Sequence, residues 1–167
     1  MSDIDALQVE IAALIQKPPG ADFESIEVLS LVYASYAQSY LSAATMLDSD
    51  HHYLRHSMPW YQLMGQALEL SMKSCLAAAG QEPPRTHDLV RLCKLVEANG
   101  FDFGVEHIHA LIIHLNHGYY EDLATGDRFA ARYGGGGNWI VPDHARLAKS
   151  VESLIAQAKS RNALFGG

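Results

Sequence analysis

The sequence predicts an all-α fold, an antiparallel bundle of about five to six helices, and three observations carry that prediction. Apolar residues recur at spacings of three and four along the 167-residue chain, while no stretch alternates polar and apolar residues as a half-buried strand does. Glycine and proline punctuate the pattern at Pro18-Pro19-Gly20, Gly80, Pro83-Pro84 and Asn99-Gly100, where helices are expected to stop. Hydrophobic residues make up 49% and charged residues 19%, a balance that favours a packed core over a disordered chain. At this length a single domain over residues 1–167 is expected, with its core at about 25–160 and residues 1–20 as an N-terminal helical extension.

A first helix is expected over residues 4–16, with Leu7, Ile11, Leu14 and Ile15 on one stripe. A second spans about 25–47. Its buried face reads as Leu29, Val32, Tyr33, Tyr36, Tyr40, Ala43 and Leu47, with Ala37 and Ala44 beside it as small residues that admit a close neighbour. The polar connector DSDHHYLRHS follows. The third helix starts near Pro59, which suits a first turn because its missing N–H would be unpaired there. Leu63, Ala67, Leu70 and Ala77 form its stripe, and Leu68, Met72, Cys75 and Leu76 widen it, as expected of a helix packed on more than one side.

Gly80 is placed to end that helix, and Thr86 to cap a fourth that runs to Ala98. A fifth begins after Asp102 and carries Ile108, Leu111, Ile112, Leu115 and Tyr119 on one face. Residues 124–142 have no helical period. Asp143 then caps a last helix through about Ser160, with Leu147, Val151, Leu154 and Ile155 as its stripe.

Composition narrows the function classes. No apolar run approaches the roughly 20 residues of a membrane span, and the opening MSDIDALQVE carries acids where a secretory leader carries bases. Cys75 and Cys93 each sit inside a helical pattern, which reads as two reduced thiols in a cytoplasmic protein. The net charge of −7 argues against a general nucleic-acid coat. The charge is uneven, however. Residues 1–123 hold six Lys/Arg against sixteen Asp/Glu, and residues 124–167 hold six against three, so an anionic ligand should favour the last quarter.

Four groups of residues carry possible chemistry. Thr86-His87-Asp88-Leu89 is explained by capping, with His87 left to bond a neighbouring helix or a ligand. Glu69 and Lys73, four apart in the favourable order, read as a solvated or packing-edge pair. His107, His114, His117 and Glu121 fall on one helical arc, which is either a polar flank or, for His114, His117 and Glu121, a set of metal ligands that His52 and His56 could extend. Gly134–Gly137 leave backbone N–H groups open to a phosphate, beside Arg128 and Arg132, but without the Lys-Ser/Thr ending of a P-loop.

The order of these signals resembles the HEPN domain family. The matching pieces are SLVYASYAQSYLSAATMLD, then QALELSMKSCLAAAG, a Pro-containing link, THDLVRL, LIIHLNHGYYEDL, and later Arg132-Tyr133. The resemblance covers roughly residues 28–155 and implies a helical bundle, commonly a homodimer. Many proteins of this family are ribonucleases that use an Arg and a His with four to six residues between them; others lack the pair and bind nucleotides or act as adaptors. No arginine of this chain has a histidine at that spacing. His117-Gly118-Tyr119 resembles the end of the nuclease motif, but Ile112, Leu111 and Ala110 stand where its Arg would be.

Without a guanidinium to hold the phosphate, a lone histidine is a weak catalyst of phosphodiester cleavage. The reading is therefore a HEPN-like binding protein without the standard catalytic pair and without a cofactor. Its ligand is a nucleotide, an RNA or a partner protein, met by Arg128, Arg132, Tyr133, Lys73 and His87. Two alternatives stand beside it: a divergent, metal-independent ribonuclease of toxin type that uses His117, and a metal-binding helical enzyme with a site at His114, His117 and Glu121.

Overall fold

A computed structural model describes residues 25–49, 57–120 and 143–165, and among these it contains five helices and no strand. In chain order they are α1 (Ile26–Ser49), α2 (Ser57–Ala78), α3 (Leu89–Ala98), α4 (Ile108–Tyr119) and α5 (His144–Phe165). The helix expected over residues 4–16 lies outside the described residues. None of the helices described is long and apolar enough to cross a membrane.

The central element is α2, which packs against each of the other four helices. Its second half, Ser71 to Ala78, is buried at every position. The sequence there, SMKSCLAA, is small or apolar apart from Lys73, whose ammonium is paired with Glu69, which is what a helix surrounded by neighbours requires. The stripes expected on the last two helices are buried as anticipated: Ile108, Ile112, Leu115 and Tyr119 on α4, and Leu147, Val151, Leu154 and Ile155 on α5.

On α1 the expected face is rotated. The buried positions are Ser30, Ala34, Ala37, Leu41 and Ala44, a four-three-four-three spacing that forms a coiled-coil-like seam. Tyr36 and Tyr40 lie outside the core, 57% and 37% exposed. The reason is steric. Small side chains let α1 approach α2 closely, and two tyrosines on that seam would hold the backbones apart. The seam is pinned by a reciprocal pair: Ser30 Oγ donates to Ser74 O at 2.9 Å, and Ser74 Oγ donates to Ser30 O at 2.8 Å. Asn162 of α5 donates Nδ2 to Ser30 Oγ at 2.9 Å, so three helices meet at one polar point.

The helix ends are closed by local hydrogen bonds. After α2, Gly80 takes φ +75°, Gly80 N donates to Ala77 O, and Gln81 N donates to Leu76 O, the two bonds of a Schellman motif. The end of α3 repeats it, with Gly100 at φ +79°, Gly100 N to Glu97 O and Phe101 N to Val96 O. The N-cap of α3 is Asp88 rather than Thr86: Asp88 Oδ1 accepts from Val90 N at 3.0 Å and Arg91 N at 3.2 Å. Thr86 Oγ1 instead accepts from Asp88 N, fixing the turn before the cap. The next helix also begins later than expected, at Ile108, because Phe101 and Phe103 are buried in the connector as core residues. Asp143 caps α5 by accepting from Arg146 N at 3.1 Å.

At the opposite end, His144 joins three elements. Its Nδ1 donates to Asp48 Oδ1 at 2.6 Å, and its ring stacks on Trp60 with centroids 3.8 Å apart.

Candidate functional site

One carboxylate organises the polar interior. Glu69 lies on α2 and is 3% exposed, so its charge has lost most of its water. Burying an ion costs several kcal/mol unless close partners replace the solvent. Three do so. Lys73 Nζ donates to Oε1 at 2.7 Å, and His87 Nδ1 and Tyr119 Oη donate to Oε2 at 2.9 and 2.6 Å. The pair expected at a solvated or packing-edge position is thus the centre of a buried network, with Lys73 itself only 9% exposed.

Each partner is held by its own element. Lys73 is one turn beyond Glu69 on α2, the separation that brings side chains of a helix together. Tyr119, in the last turn of α4, reaches Glu69 by lying over Gly65, one turn earlier on α2. Any Cβ at position 65 would fall on the Tyr119 ring, so the glycine is required by close approach and not by its own backbone angles. His87 comes from the link between α2 and α3. That link is fastened by the Asp88 cap and by Leu89 N donating to the buried Asn116 Oδ1 of α4 at 2.8 Å.

The electrostatics follow from this arrangement. A carboxylate only accepts hydrogen bonds, so contact with Glu69 places a proton on His87 Nδ1 and orients the ring. Tyr33 of α1 stands near enough to feel the same charge. Burial raises its pKa above the ordinary value, and the negative Glu69 and Glu82 raise it further, so the phenol stays protonated. The cluster reaches water through His87, whose side chain is 47% exposed. Chemically, it presents one oriented imidazole to water, above an ammonium and a carboxylate that neutralise each other inside the bundle.

Of the residues expected to bind ligand, Lys73 and His87 are brought together on Glu69. Arg128, Arg132, Tyr133 and the glycine run lie outside the described residues, as do Glu121, His52 and His56. His114 and His117 are exposed on α4. His107 is not on that helical arc: it precedes the helix in a left-handed conformation, φ 55°. Of the positions where the nuclease arginine would stand, Ile112 is core at 1% exposure. Tyr119 was legible only as an apolar-face residue. Its hydroxyl has no sequence signal beyond the general rule that a buried tyrosine seeks a partner.

Two grooves on the described surface lie elsewhere. Arg161 borders both, with its guanidinium 4.9 Å from the centroid of the Phe101 ring and Nη1 donating to Asn99 O at 3.0 Å. They flank the far end of α2, around Gly80 and Gly100, and share no residue with the Glu69 cluster.

Comparison with known proteins agrees with the helical arrangement. Residues 32–160 match the HEPN domain. No curated protein and no solved structure matches the chain.

Proposed function

Because the chain belongs to the HEPN domain family, we propose that it is a non-catalytic binding member whose ligand is a nucleotide or RNA. The observation that carries this reading is the Glu69 network, which holds Lys73 and the half-exposed His87 in fixed relation at one place on the bundle. With its Nδ1 proton on Glu69 the His87 ring is already ordered, so a ligand that meets Nε2, an acceptor in the neutral ring and a donor in the charged one, binds without first ordering a flexible side chain. The reading also assigns Arg128, Arg132 and Tyr133, in the basic last quarter of the sequence, to the ligand. Binding is favoured over cleavage because Ile112, Leu111 and Ala110 offer no guanidinium at the positions preceding His117.

The active form is a homodimer in this reading. Val28, Leu31, Ser35, Ser39, Ser42 and Met46 share an arc of about 80° on α1, opposite the seam, with the exposed Tyr36 on its flank. Ser39 and Ser42 donate back to Ser35 O and Gln38 O, which hides their hydroxyls and leaves the face less polar than its composition. A second copy of α1 fits such a face of small and aromatic residues.

Equilibrium dialysis of the full chain against mononucleotides and short RNAs tests the ligand. Binding that weakens about tenfold or more in His87→Gln, and again in Arg128→Ala and Arg132→Ala, is the expected result, as each removes a donor worth about 1.5–3 kcal/mol. If every nucleotide and RNA binds equally to these variants, or none binds the unaltered protein, the reading fails.

A further inference from the structure

On the side of the bundle where α3 meets α4, three metal-ligating side chains of different chemistry converge. Cys93 and Glu97 lie four residues apart on α3, hence on one ridge, and His109 reaches them from the first turn of α4. One ligand atom from each, the Cys93 thiol sulfur, a Glu97 carboxylate oxygen and a His109 ring nitrogen, lies within 4.8 Å of the others. His109 Nε2 and Glu97 Oε1 are 2.7 Å apart. Cys93 is buried, while the His109 and Glu97 side chains are 62% and 39% exposed.

We propose that Cys93, Glu97 and His109 form a binding site for a zinc-class divalent cation. The donor set points to that class: thiolate, imidazole and carboxylate together suit a borderline-soft ion, whereas calcium or magnesium would call for oxygen alone. The geometry asks little of the fold. Ligand atoms about 2.0–2.3 Å from a tetrahedral ion stand farther apart than His109 Nε2 and Glu97 Oε1 now do. The ion would therefore enter by parting two exposed side chains, while the buried sulfur stays in place. Water completes the fourth position from the open side. In the binding step the Cys93 S–H bond is lost and its proton goes to solvent. The proton that His109 Nε2 donates to Glu97 moves through water to Nδ1, and sulfur and Nε2 each donate the freed electron pair to the cation. Thiolate and carboxylate together then balance the two positive charges.

This site is independent of the Glu69 network and of the nucleotide-binding reading, since it shares no residue with either. The test uses the untagged full chain titrated with Co²⁺ and followed by absorbance. Saturation at one equivalent is expected, with a near-ultraviolet thiolate-to-cobalt band and visible bands of a tetrahedral ion. Loss of an outer-shell partner alone weakens metal sites by about 10–100-fold, so His109→Gln and Cys93→Ala should each weaken binding at least tenfold, and Cys93→Ala should also remove the thiolate band. His109→Gln alters an exposed ring and leaves the core untouched, so it stands even if Cys93→Ala is poorly folded. His114→Gln, one turn and more along the same helix, should bind as the unaltered protein does. No thiolate band in the unaltered chain, or a band that saturates at the same Co²⁺ concentration in His109→Gln, overturns the proposal.

Discussion

A methyl group at position 65 would land on the ring of Tyr119 and push its hydroxyl away from Glu69. Gly65→Ala therefore acts on a hydrogen bond made one turn farther along α2. The cost has three parts. Displacing a packed aromatic ring costs about 1–3 kcal/mol, and losing a hydrogen bond to a buried carboxylate costs about 1.5–3 kcal/mol. Alanine returns about 1 kcal/mol through its helix propensity. The net expectation is a destabilisation of about 1.5–5 kcal/mol, despite a substitution that normally strengthens a helix.

Tyr119→Phe removes only the 2.6 Å bond to Glu69 and should cost about 1.5–3 kcal/mol. The two changes destroy the same bond, so the double variant should be more stable than the sum of the singles predicts, by about 1.5–3 kcal/mol. Urea unfolding followed by helical circular dichroism measures all four proteins. With a urea dependence of about 1–3 kcal/mol per molar, Tyr119→Phe alone moves the midpoint by roughly 1 M. Single effects that add to within about 0.5 kcal/mol would refute the coupling, and with it the view that Gly65 exists to seat Tyr119 on Glu69.

Three further outcomes are expected. Asp88→Ala removes both side-chain caps of α3 and should lower stability by about 1 kcal/mol, read as a urea midpoint shift; Asp88→Asn should restore most of it, and equal losses in both would contradict the capping account. Burial pushes the Tyr61 phenol from 10.0 to about 12 and the Cys75 thiol from 9.0 to about 12, so the folded state keeps protons that the unfolded state gives up. That contribution is complete below about pH 9 and is lost as pH rises toward 12, so the thermal midpoint should fall over pH 9–11, and Tyr61→Phe should flatten the part above pH 10. If the proposed dimer forms through the outer face of α1, light scattering should report twice the chain mass for the unaltered protein and half of that for Leu31→Glu with Tyr36→Glu at unchanged helicity; a chain-mass monomer at the start, or a mass that the charges leave unaltered, would refute that contact.

Much of the scaffold was legible because its signals are local. Glycine at two C′ positions and Asp143 before the last helix each act within one turn, and the structure uses them as the spacing implies. The α1 face was misread for a physical reason. Tyrosine outranks alanine in apolar area, yet a seam between close helices selects for small volume, so Ala34, Ala37 and Ala44 are inside and Tyr36 is outside. At the candidate site, only the Glu69–Lys73 pair is written in spacing. That it is buried, and that Tyr119 and His87 complete it from 50 and 18 residues away, depends on tertiary packing that no local pattern encodes. The convergence of Cys93 and Glu97 with His109 has the same character: its first pair shares a helical ridge, and its third member arrives through the turn between α3 and α4.

The reciprocal hydroxyls of Ser30 and Ser74 have a consequence for which structures the chain can adopt at all. If α1 slid one turn along α2, Ala34 or Ile26 would stand opposite Ser74, and neither offers a hydroxyl. Backbone carbonyls would still be there to accept, but the two hydroxyls, 3.3 Å apart, would part, and Asn162 would lose its acceptor on a third helix, at about 0.5–1.5 kcal/mol. An alanine seam by itself is nearly self-similar under such a slide and would tolerate several alignments. The serines make those alignments unequal, so two hydroxyl groups act as an address that tells α1 where along α2 to stop.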